Sequence, residues 1–570
     1  MPTVYVNDQP VQLGDHERLN VIQAAAKANV EIPHYCWHPA LSVVASCRMC
    51  LVEVGEKKPD GSILMQPRVV PGCQTPAKDG TVIVTNSKKV KDAQAATLEY
   101  LLLNHPLDCP VCDQAGECFL QDYSYRFGHA QSRLKDDKLQ KPDKDHIGDQ
   151  IALFTDRCVM CSRCVRFTRE ISGTAELHII HRGDHAEIDI FPEEPCNNKL
   201  AGNVVDICPV GALCSKDFLY KQRVWFLKDS PSVCPGCSTG CSIEVDQNKN
   251  IVYRLKPRFN PQAQGHFMCD EGRFGYKYIN STERFQTPMV RIGKDLVPIG
   301  WDGLLHKMKR ELQEAVPGGL MVLLSPWLTV EEAYLAALFF KGLSNQVTLA
   351  LGPVPVVGAD DHYPKGPRGE APKDAKEIKF TIRAEKCPNY RGVAEIVKHV
   401  QGEVMTFEQA LKQVDGGKVK GLFIAASSPS AWITEAEARL LEKLSLLMVM
   451  DLLPSPASAK AKYVLPAGSF AEKDGTFVNH AYLAQAIVRA VQSPGEVRTE
   501  GRVFMEWLER RGLFHAATIR QELAQKVPAF AALGAGDLGA LGVFLQSQRE
   551  PAVSAGPSAS ATAPKAKTQA

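Results

Sequence analysis

"NHPLDCPVCDQAGECFLQD", residues 104–122, holds Cys109, Cys112 and Cys118 in the spacing C-x2-C-x5-C. Three thiolates leave a tetrahedral or four-iron site one ligand short, and the next cysteine is Cys158. Four residues upstream of Cys109 stands His105, which makes the set H-x3-C-x2-C-x5-C. An imidazole nitrogen can replace a thiolate on iron. Because it carries no negative charge, the cluster it holds is easier to reduce. The alternative is that His105 only caps or hydrogen-bonds nearby, leaving the fourth position to water or open. Three companions without a fourth partner favour the ligand.

Three further sets lie around it. Upstream, Cys36, Cys47, Cys50 and Cys73 follow C-x10-C-x2-C-x22-C. Three thiolates on one loop with a distant fourth suit a [2Fe–2S] cluster in a β-grasp ferredoxin, with a longer first gap than the plant-type pattern. A four-cysteine zinc site is the alternative. Downstream, "DRCVMCSRC" supplies Cys158, Cys161 and Cys164, and "DICPVGAL" supplies Cys208. That is the C-x2-C-x2-C run of bacterial [4Fe–4S] ferredoxins with its fourth ligand brought from elsewhere. Arg157, Arg163 and Arg166 flank this run; each either donates towards the cluster or is solvated, and the solvated reading is preferred. Cys234, Cys237, Cys241 and Cys269 form the fourth set, C-x2-C-x3-C-x27-C, again four thiolates for a [4Fe–4S] cluster. Cys196, Cys214 and Cys387 remain and read as buried core thiols.

Of 18 cysteines, all but Cys387 lie before residue 270. Without a secretory signal, such crowding points to metal rather than disulfides. A chain of 570 residues with 45% apolar and 23% charged residues reads as several soluble domains. A formal net charge of +2 gives no reason to expect nucleic acid. No apolar run is long enough to span a membrane, so a cytoplasmic protein is expected, attached to any membrane only through partners. No G-x-G-x-x-G loop follows a strand, so no NADH or flavin site is expected.

The organisation expected is a multidomain α+β and α/β chain. Residues 1–85 read as a β-grasp [2Fe–2S] domain, with a hairpin at Asn7-Asp8, a helix in "LNVIQAAAKANV" and strands at "CLVEVG" and "TVIVTNS". Residues 86–146 hold the His105 set, opening with the helix "VKDAQAATLEYLLLN" and closing with "RLKDDKLQKPDKDH", read as an exposed loop. Residues 147–223 and 224–283 form the third and fourth cluster domains. From 284 to 550, strands ("GGLMVLLSP", "GLFIAASSP", "LLMVMDLLP") alternate with helices ("TVEEAYLAALFFKGL", "TEAEARLLEKL") as in a doubly wound α/β fold. Residues 551–570 read as a disordered tail.

The four sets in this order closely resemble the large iron–sulfur subunit of the proton-pumping NADH:quinone oxidoreductase, respiratory complex I, in its bacterial form. "HPLDCPVCDQAGECFLQD" and "GNVVDICPVGAL" carry the resemblance most specifically. It implies that Cys36, Cys47, Cys50 and Cys73 hold the binuclear centre N1b. Cys158, Cys161, Cys164 and Cys208 then hold N4, and His105, Cys109, Cys112 and Cys118 hold N5. Cys234, Cys237, Cys241 and Cys269 match N7, a centre of some bacterial members off the main electron path. The total implied is one [2Fe–2S] and three [4Fe–4S] clusters.

The back half is similar to a molybdopterin oxidoreductase domain, with "AKYVLPAGSFAEKDGTFVN" (461–479) as its most family-like stretch, but it is shortened. Ala425 and Ala426 stand where a phosphate loop favours glycine, and Cys387 lacks the context of a molybdenum ligand, so no molybdopterin is expected. The implied partners are the flavin-bearing NADH-oxidising subunit, its small [2Fe–2S] companion, a downstream subunit with two [4Fe–4S] clusters, and other peripheral-arm subunits. The implied place is the cytoplasmic face of a bacterial inner membrane. Three other readings stay open: a molybdenum or tungsten formate dehydrogenase, the diaphorase arm of a NAD-linked hydrogenase, and a zinc-stapled scaffold.

Overall fold

The computed structural model describes residues 1–545, so the expected tail at 551–570 lies outside the described residues. The chain divides into two compact units. Of the described residues, the first takes Met1–Phe226 together with Tyr363–Lys379, and the second takes Leu227–His362 and 380–545.

The first unit opens with strands Thr3–Val6 and Gln9–Gln12, paired antiparallel with Val6 opposite Gln9. Asn7 (φ 46°) and Asp8 (φ 68°) make the left-handed two-residue turn that suits the twist of a hairpin. Thr3–Val6 then runs parallel to Thr81–Val84, which pairs antiparallel with Leu51–Lys57. Alternate residues Val4, Val6, Val52, Val54 and Ile83 are buried, and helix Val21–Lys27 covers them with Val21, Ile22, Ala24 and Ala25. That helix starts because Asn20 and Gln23 form a reciprocal capping box. A mixed sheet with one helix across its face is the expected β-grasp arrangement.

The stretch 133–146 is irregular and mostly exposed, as read, and only Lys144 within it is buried; it is nonetheless pinned at several points. Arg133 makes a two-pronged ion pair with Glu99, and Lys138 donates to the carbonyls of Leu102 and Leu103, the C-terminal end of helix Lys88–Leu102. Lys144 is only 6% exposed and pairs with Asp189 (2.5 Å) and Glu187 (3.2 Å). The lysines that made the segment look solvated are its anchors.

The second unit begins with the antiparallel sheet Lys228–Val233, Ser242–Asn248 and Ile251–Pro257. Its larger part is a seven-stranded sheet. In spatial order the strands are Asp295–Pro298, Met289–Ile292, Tyr463–Pro466, Leu446–Asp451, Gly421–Ala425, Leu320–Leu324 and Thr348–Leu351. The last five are parallel, and their order reverses between Leu320–Leu324 and Gly421–Ala425. Successive residues of Leu320–Leu324 serve opposite faces: Leu320, Val322 and Leu324 join one core, Met321 and Leu323 the other. Fully burying each such side chain contributes roughly 1.5–3 kcal/mol. Helix Val330–Leu343 covers the first face and starts at a Thr329/Glu332 capping box; Phe407–Asp415 covers the second.

The expected run 284–550 is not continuous in space. Tyr363–Lys379 leaves it to pack with the first unit, where the Lys365 N–H donates to the Ser172 carbonyl (2.7 Å).

Asp451, at the end of its strand, accepts from Trp432 Nε1 (2.8 Å) and from the Leu452 and Ser428 N–H groups. Burial nevertheless pushes its carboxyl up to about 7. A raised folded value means a contribution present at low pH and lost as pH rises through the folded value. Stability of this unit should therefore fall between about pH 4 and 7, and Asp451→Asn should flatten that slope. Melting temperatures of both forms at pH 5 and 7.5 check it; parallel slopes refute it.

Candidate cluster-binding sites

All 18 cysteines are free. In the first set, Cys36, Cys47 and Cys50 lie on the loop between helix Val21–Lys27 and strand Leu51–Lys57, and Cys73 follows the short strand Val70–Pro71. The Cys36 N–H reaches Cys47 Sγ at 3.5 Å. The thiols of Cys47 and Cys73 both donate to Cys36 and pull its ionisation well below the usual thiol range; the same contacts push those two up. Cys50 is lowered by its contact with Cys73. The four sulfurs thus face one another. Ala45 (φ 52°) and Arg48 (φ 57°) flank Cys47 in the left-handed region, a backbone cost that turns the loop inwards.

The third set repeats that device. Met160 (φ 50°) and Ser162 (φ 57°) separate the three cysteines of its run, and the Met160 N–H points at Cys158 Sγ (3.4 Å). Cys208 closes the set from the end of helix Asn203–Ile207. Cys158, Cys161, Cys164 and Cys208 line one pocket whose other walls include Leu153, Val159, Ile188, Val210 and Leu213. Burial pushes Cys158 up to about 12 and Cys161 to about 11, and raises Cys164 and Cys208.

Arg157, Arg163 and Arg166, preferred as solvated from sequence, are 4%, 5% and 8% exposed. Arg163 donates to the carbonyls of Ile207 and Trp37; Arg166 donates to those of Cys36, Ser42 and Cys161. Arg157 pairs with Asp108 (2.9 Å) and stacks on Phe154. Arginine stems bury readily when the head finds carbonyls, and here those carbonyls come from the first and third sets and the chain beside them.

In the second set, Cys112 and Cys118 are buried and Cys109 is half-buried. Burial raises Cys112 and pushes Cys118 up to about 12. Asp108 begins the turn, its carbonyl accepting from the Val111 and Cys112 N–H groups. His105 is half-buried. Burial first, then Lys138 and Arg157, hold its imidazolium down to about 4, so the ring is neutral at pH 7, the state a metal ligand requires. Arg157 also acts on Cys112, which brings His105 and this set to a common neighbour.

The fourth set lies in the second unit. Cys234 and Cys241 close a loop between two strands (Cys234 N–H to Cys241 carbonyl, 2.9 Å), and Cys269 caps helix Asp270–Phe274. With Cys237 they line one pocket beside Met268 and Gly272. A Cβ on Gly272 would stand 2.7 Å from Cys234 Sγ, so only glycine fits. Lys386, which pairs with Glu271 (2.6 Å), places a positive charge that acts on Cys237 and Cys269. Sequence reading missed Gly272 and Lys386; nothing local marks either.

Do these residues fit iron–sulfur clusters? Among the described residues, no three or more His, Cys, Asp or Glu side chains close in as a single metal ion needs. The third and fourth sets instead ring spaces, which suits a polynuclear group better than zinc. Four buried sulfurs cannot all ionise in an apolar pocket without a cation between them. Buried donors without acceptors point the same way. Among the described residues, Arg163 Nε, beside Cys161 and Cys208, has no partner, nor has Arg157 Nη1. Tyr35 Oη, likewise without a hydrogen bond among the described residues, lies within electrostatic reach of Cys47 and Cys118. An anionic sulfur cluster supplies the acceptors these groups lack. Cys196, Cys214 and Cys387 are buried, as expected.

A pterin nucleotide fits less well. Doubly wound sheets take ligands where strand order reverses, at the carboxyl ends of the strands. Beyond Gly421–Ala425, Ser427 (φ 47°) hydrogen-bonds Glu500, and Lys473 sits between Glu500 (3.2 Å) and Glu332 (2.9 Å). Glu332 already occupies the start of the helix after Leu320–Leu324. Two buried carboxylates stand where anionic phosphates would bind.

Five family models match the chain. They are a 2Fe-2S iron-sulfur cluster binding domain (residues 2–88), an NADH-ubiquinone oxidoreductase-G iron-sulfur binding region (94–133), and the ferredoxin-like domain of NADH-quinone oxidoreductase subunit 3 (148–214). A molybdopterin oxidoreductase Fe4S4 domain (227–281) and a molybdopterin oxidoreductase domain (382–510) follow. Among curated proteins, the G subunit of NADH-quinone oxidoreductase from Rickettsia bellii is 36% identical over 325 residues, 57% of this chain and 46% of that one. The mitochondrial NADH dehydrogenase [ubiquinone] iron-sulfur protein 1 of Solanum tuberosum is 39% identical over 326 residues, 56% of this chain and 42% of that one. The aligned part of the chain thus spans about half the length of these relatives.

Proposed function

We propose that this chain, a homologue of the NADH-quinone oxidoreductase G subunit, is the electron-relay subunit of a proton-pumping NADH:quinone oxidoreductase and performs no substrate chemistry of its own. Its redox groups are iron–sulfur clusters, and no helix among the described residues is long and apolar enough to cross a membrane. The finer assignment is the one the family resemblance implies, and the grouping of the sulfurs in the first, third and fourth sets supports it. Cys36, Cys47, Cys50 and Cys73 hold a [2Fe–2S] cluster, N1b; Cys158, Cys161, Cys164 and Cys208 hold N4; His105, Cys109, Cys112 and Cys118 hold N5. Cys234, Cys237, Cys241 and Cys269 hold N7, which is assigned no step in the route.

The observation that carries this reading is the third set: four sulfurs around one apolar space, with the unpaired Arg163 Nε beside two of them. When bound, such clusters accept and release one electron at a time. The chain fixes the sulfurs, excludes water with Leu153, Ile188 and Leu213, and sets the local field through Arg163 and backbone N–H groups. Electrons would enter from a flavin-bearing NADH-oxidising subunit with a small [2Fe–2S] companion. They would leave to a subunit with two [4Fe–4S] clusters and pass on to quinone at the cytoplasmic face of the membrane. The carboxylates at the sheet's reversal point support a back half without molybdopterin.

Metal analysis of anaerobically purified chain, with low-temperature EPR after reduction, tests this. The expected content is about 14 irons, one binuclear and three tetranuclear signals, and no molybdenum or tungsten. Zinc in place of iron would reject the relay, and stoichiometric molybdenum would reject the reading of the back half. His105→Cys should keep its four-iron centre but lower its midpoint potential, since a thiolate adds negative charge. An unchanged redox titration would remove His105 as a ligand.

A further inference from the structure

The second and third cysteine sets meet through one short stretch, Cys208–Gly211. Cys208, Pro209 and Val210 line the space of the third set. The Pro209 carbonyl accepts a 3.0 Å hydrogen bond from the Phe119 N–H, and Phe119 is bonded directly to Cys118 of the second set. Two residues beyond Pro209, Gly211 lies so close to Cys112 that a Cβ there would stand 2.2 Å from its Sγ. The same stretch therefore reaches two ligands of the second set, once by hydrogen bond and once by bare backbone.

The hydrogen bond has a structural reason. Phe119 opens helix Phe119–Phe127 with Cys118 as its N-cap, and Cys118 offers no side-chain cap. The first N–H groups of a helix need acceptors from outside it. Here one acceptor is the carbonyl next to a ligand of the other site.

We propose that Cys208–Pro209 and the Phe119 N–H form the electron conduit between the third and second sets. The path runs from Cys208 Sγ along the backbone to the Pro209 carbonyl, across the hydrogen bond to Phe119 N, and through the Cys118 backbone to its Sγ. It is covalent except at that one bond, and electronic coupling decays far less through bonds than across gaps. The step moves one electron. Cys208 would hold the four-iron centre that is oxidised and Cys118 the one that is reduced, with no bond broken and no proton moved. Gly211 keeps the two ligand shells pressed together. The proposal rests on reading Cys208 and Cys118 as cluster ligands.

The test uses the full chain, purified anaerobically with its iron, in three forms. Phe119→Leu loses the ring and keeps the N–H. Phe119→Pro loses the N–H at the first helical position, where proline is tolerated; Cys118 already has the extended backbone (φ −96°, ψ 117°) that a residue before proline adopts. Iron content and EPR come first: a missing tetranuclear centre in the unmodified chain overturns the ligand reading rather than the conduit. Flash photoreduction with freeze-quench EPR then follows the electron from the third centre to the second, and redox titration gives both potentials. The unmodified chain and Phe119→Leu should equilibrate at similar rates, and Phe119→Pro severalfold more slowly at unchanged potentials. Should Phe119→Pro lose iron, an amide-to-ester replacement between residues 118 and 119 removes the N–H alone and is held to the same comparison. An unchanged rate once the N–H is gone overturns the conduit.

Discussion

Lys473→Met is expected to destabilise the second unit by about 3–5 kcal/mol near neutral pH, the cost of leaving buried charge without its partner. Lys473 is 3% exposed in its side chain and lies between Glu332 and Glu500, whose side chains are 1% and 0% exposed. The Thr329 N–H, the Gly468 N–H and Ser427 Oγ complete the cluster, all within the second unit. Methionine fills the same length but supplies no charge, so two carboxylates would face each other dry. Burial, then Glu500, already pushes the Glu332 carboxyl up even with the ammonium present. Without Lys473 the Glu332 carboxyl should take up a proton more readily, so the deficit should shrink towards pH 5. Adding Glu332→Gln to Lys473→Met should recover part of the loss at pH 7.5. Chemical unfolding followed by near-ultraviolet circular dichroism reads the transition of this unit. A loss under about 1 kcal/mol, the range of exposed pairs, would mean that the cluster is hydrated and not a buried network.

What the sequence disclosed, and what it hid, divides along the range of the interactions involved. The hairpin at Asn7-Asp8 and the helix start at Thr329 were legible because turn and cap chemistry act within four residues. The C-x2-C-x2-C run was legible for the same reason: three ligands of one site come from one loop. Arg163 and Arg166 were misread because what covers them comes from far off in the chain, Trp37 over one and Cys36 and Ser42 over the other. A charged residue looks solvated in sequence unless its carbonyl partners can be seen. Lys144 failed identically, its carboxylates coming from the strand Glu187–Ile190. Gly211 sits in the conspicuous "CPVGAL" stretch, yet the need for glycine there is set by Cys112, ninety-nine positions upstream. The composition of Tyr363–Lys379, rich in Pro, Gly and charge, marks an irregular segment, but nothing in it shows that the segment packs with the first unit.

Cys208→Ala should remove one tetranuclear centre, about four irons per chain, whereas Cys214→Ala, six residues along, should keep them all. The contrast is demanding because the two thiols are neighbours: Cys208, Cys112 and Arg157 all act on Cys214. Position decides between them. Cys208 borders the same pocket as Cys158, Cys161 and Cys164, and Cys214 does not. Cys214 belongs to the strand Leu213–Ser215, pairs opposite Ala152, and turns its Sγ to the Gly211 carbonyl at 3.6 Å. It is a small core side chain whose truncation leaves a modest void, of order 1 kcal/mol. Losing Cys208 costs more than a contact, because the free energy of binding a metal group is also free energy of folding. The Cys208→Ala chain should therefore lose iron, the EPR signal of the third set and resistance to proteolysis around residues 155–170 together. Iron content per chain and EPR of both variants settle the assignment. Equal iron in the two would dismiss Cys208 as a ligand, and loss of iron from Cys214→Ala alone would make Cys214 the fourth ligand of the set.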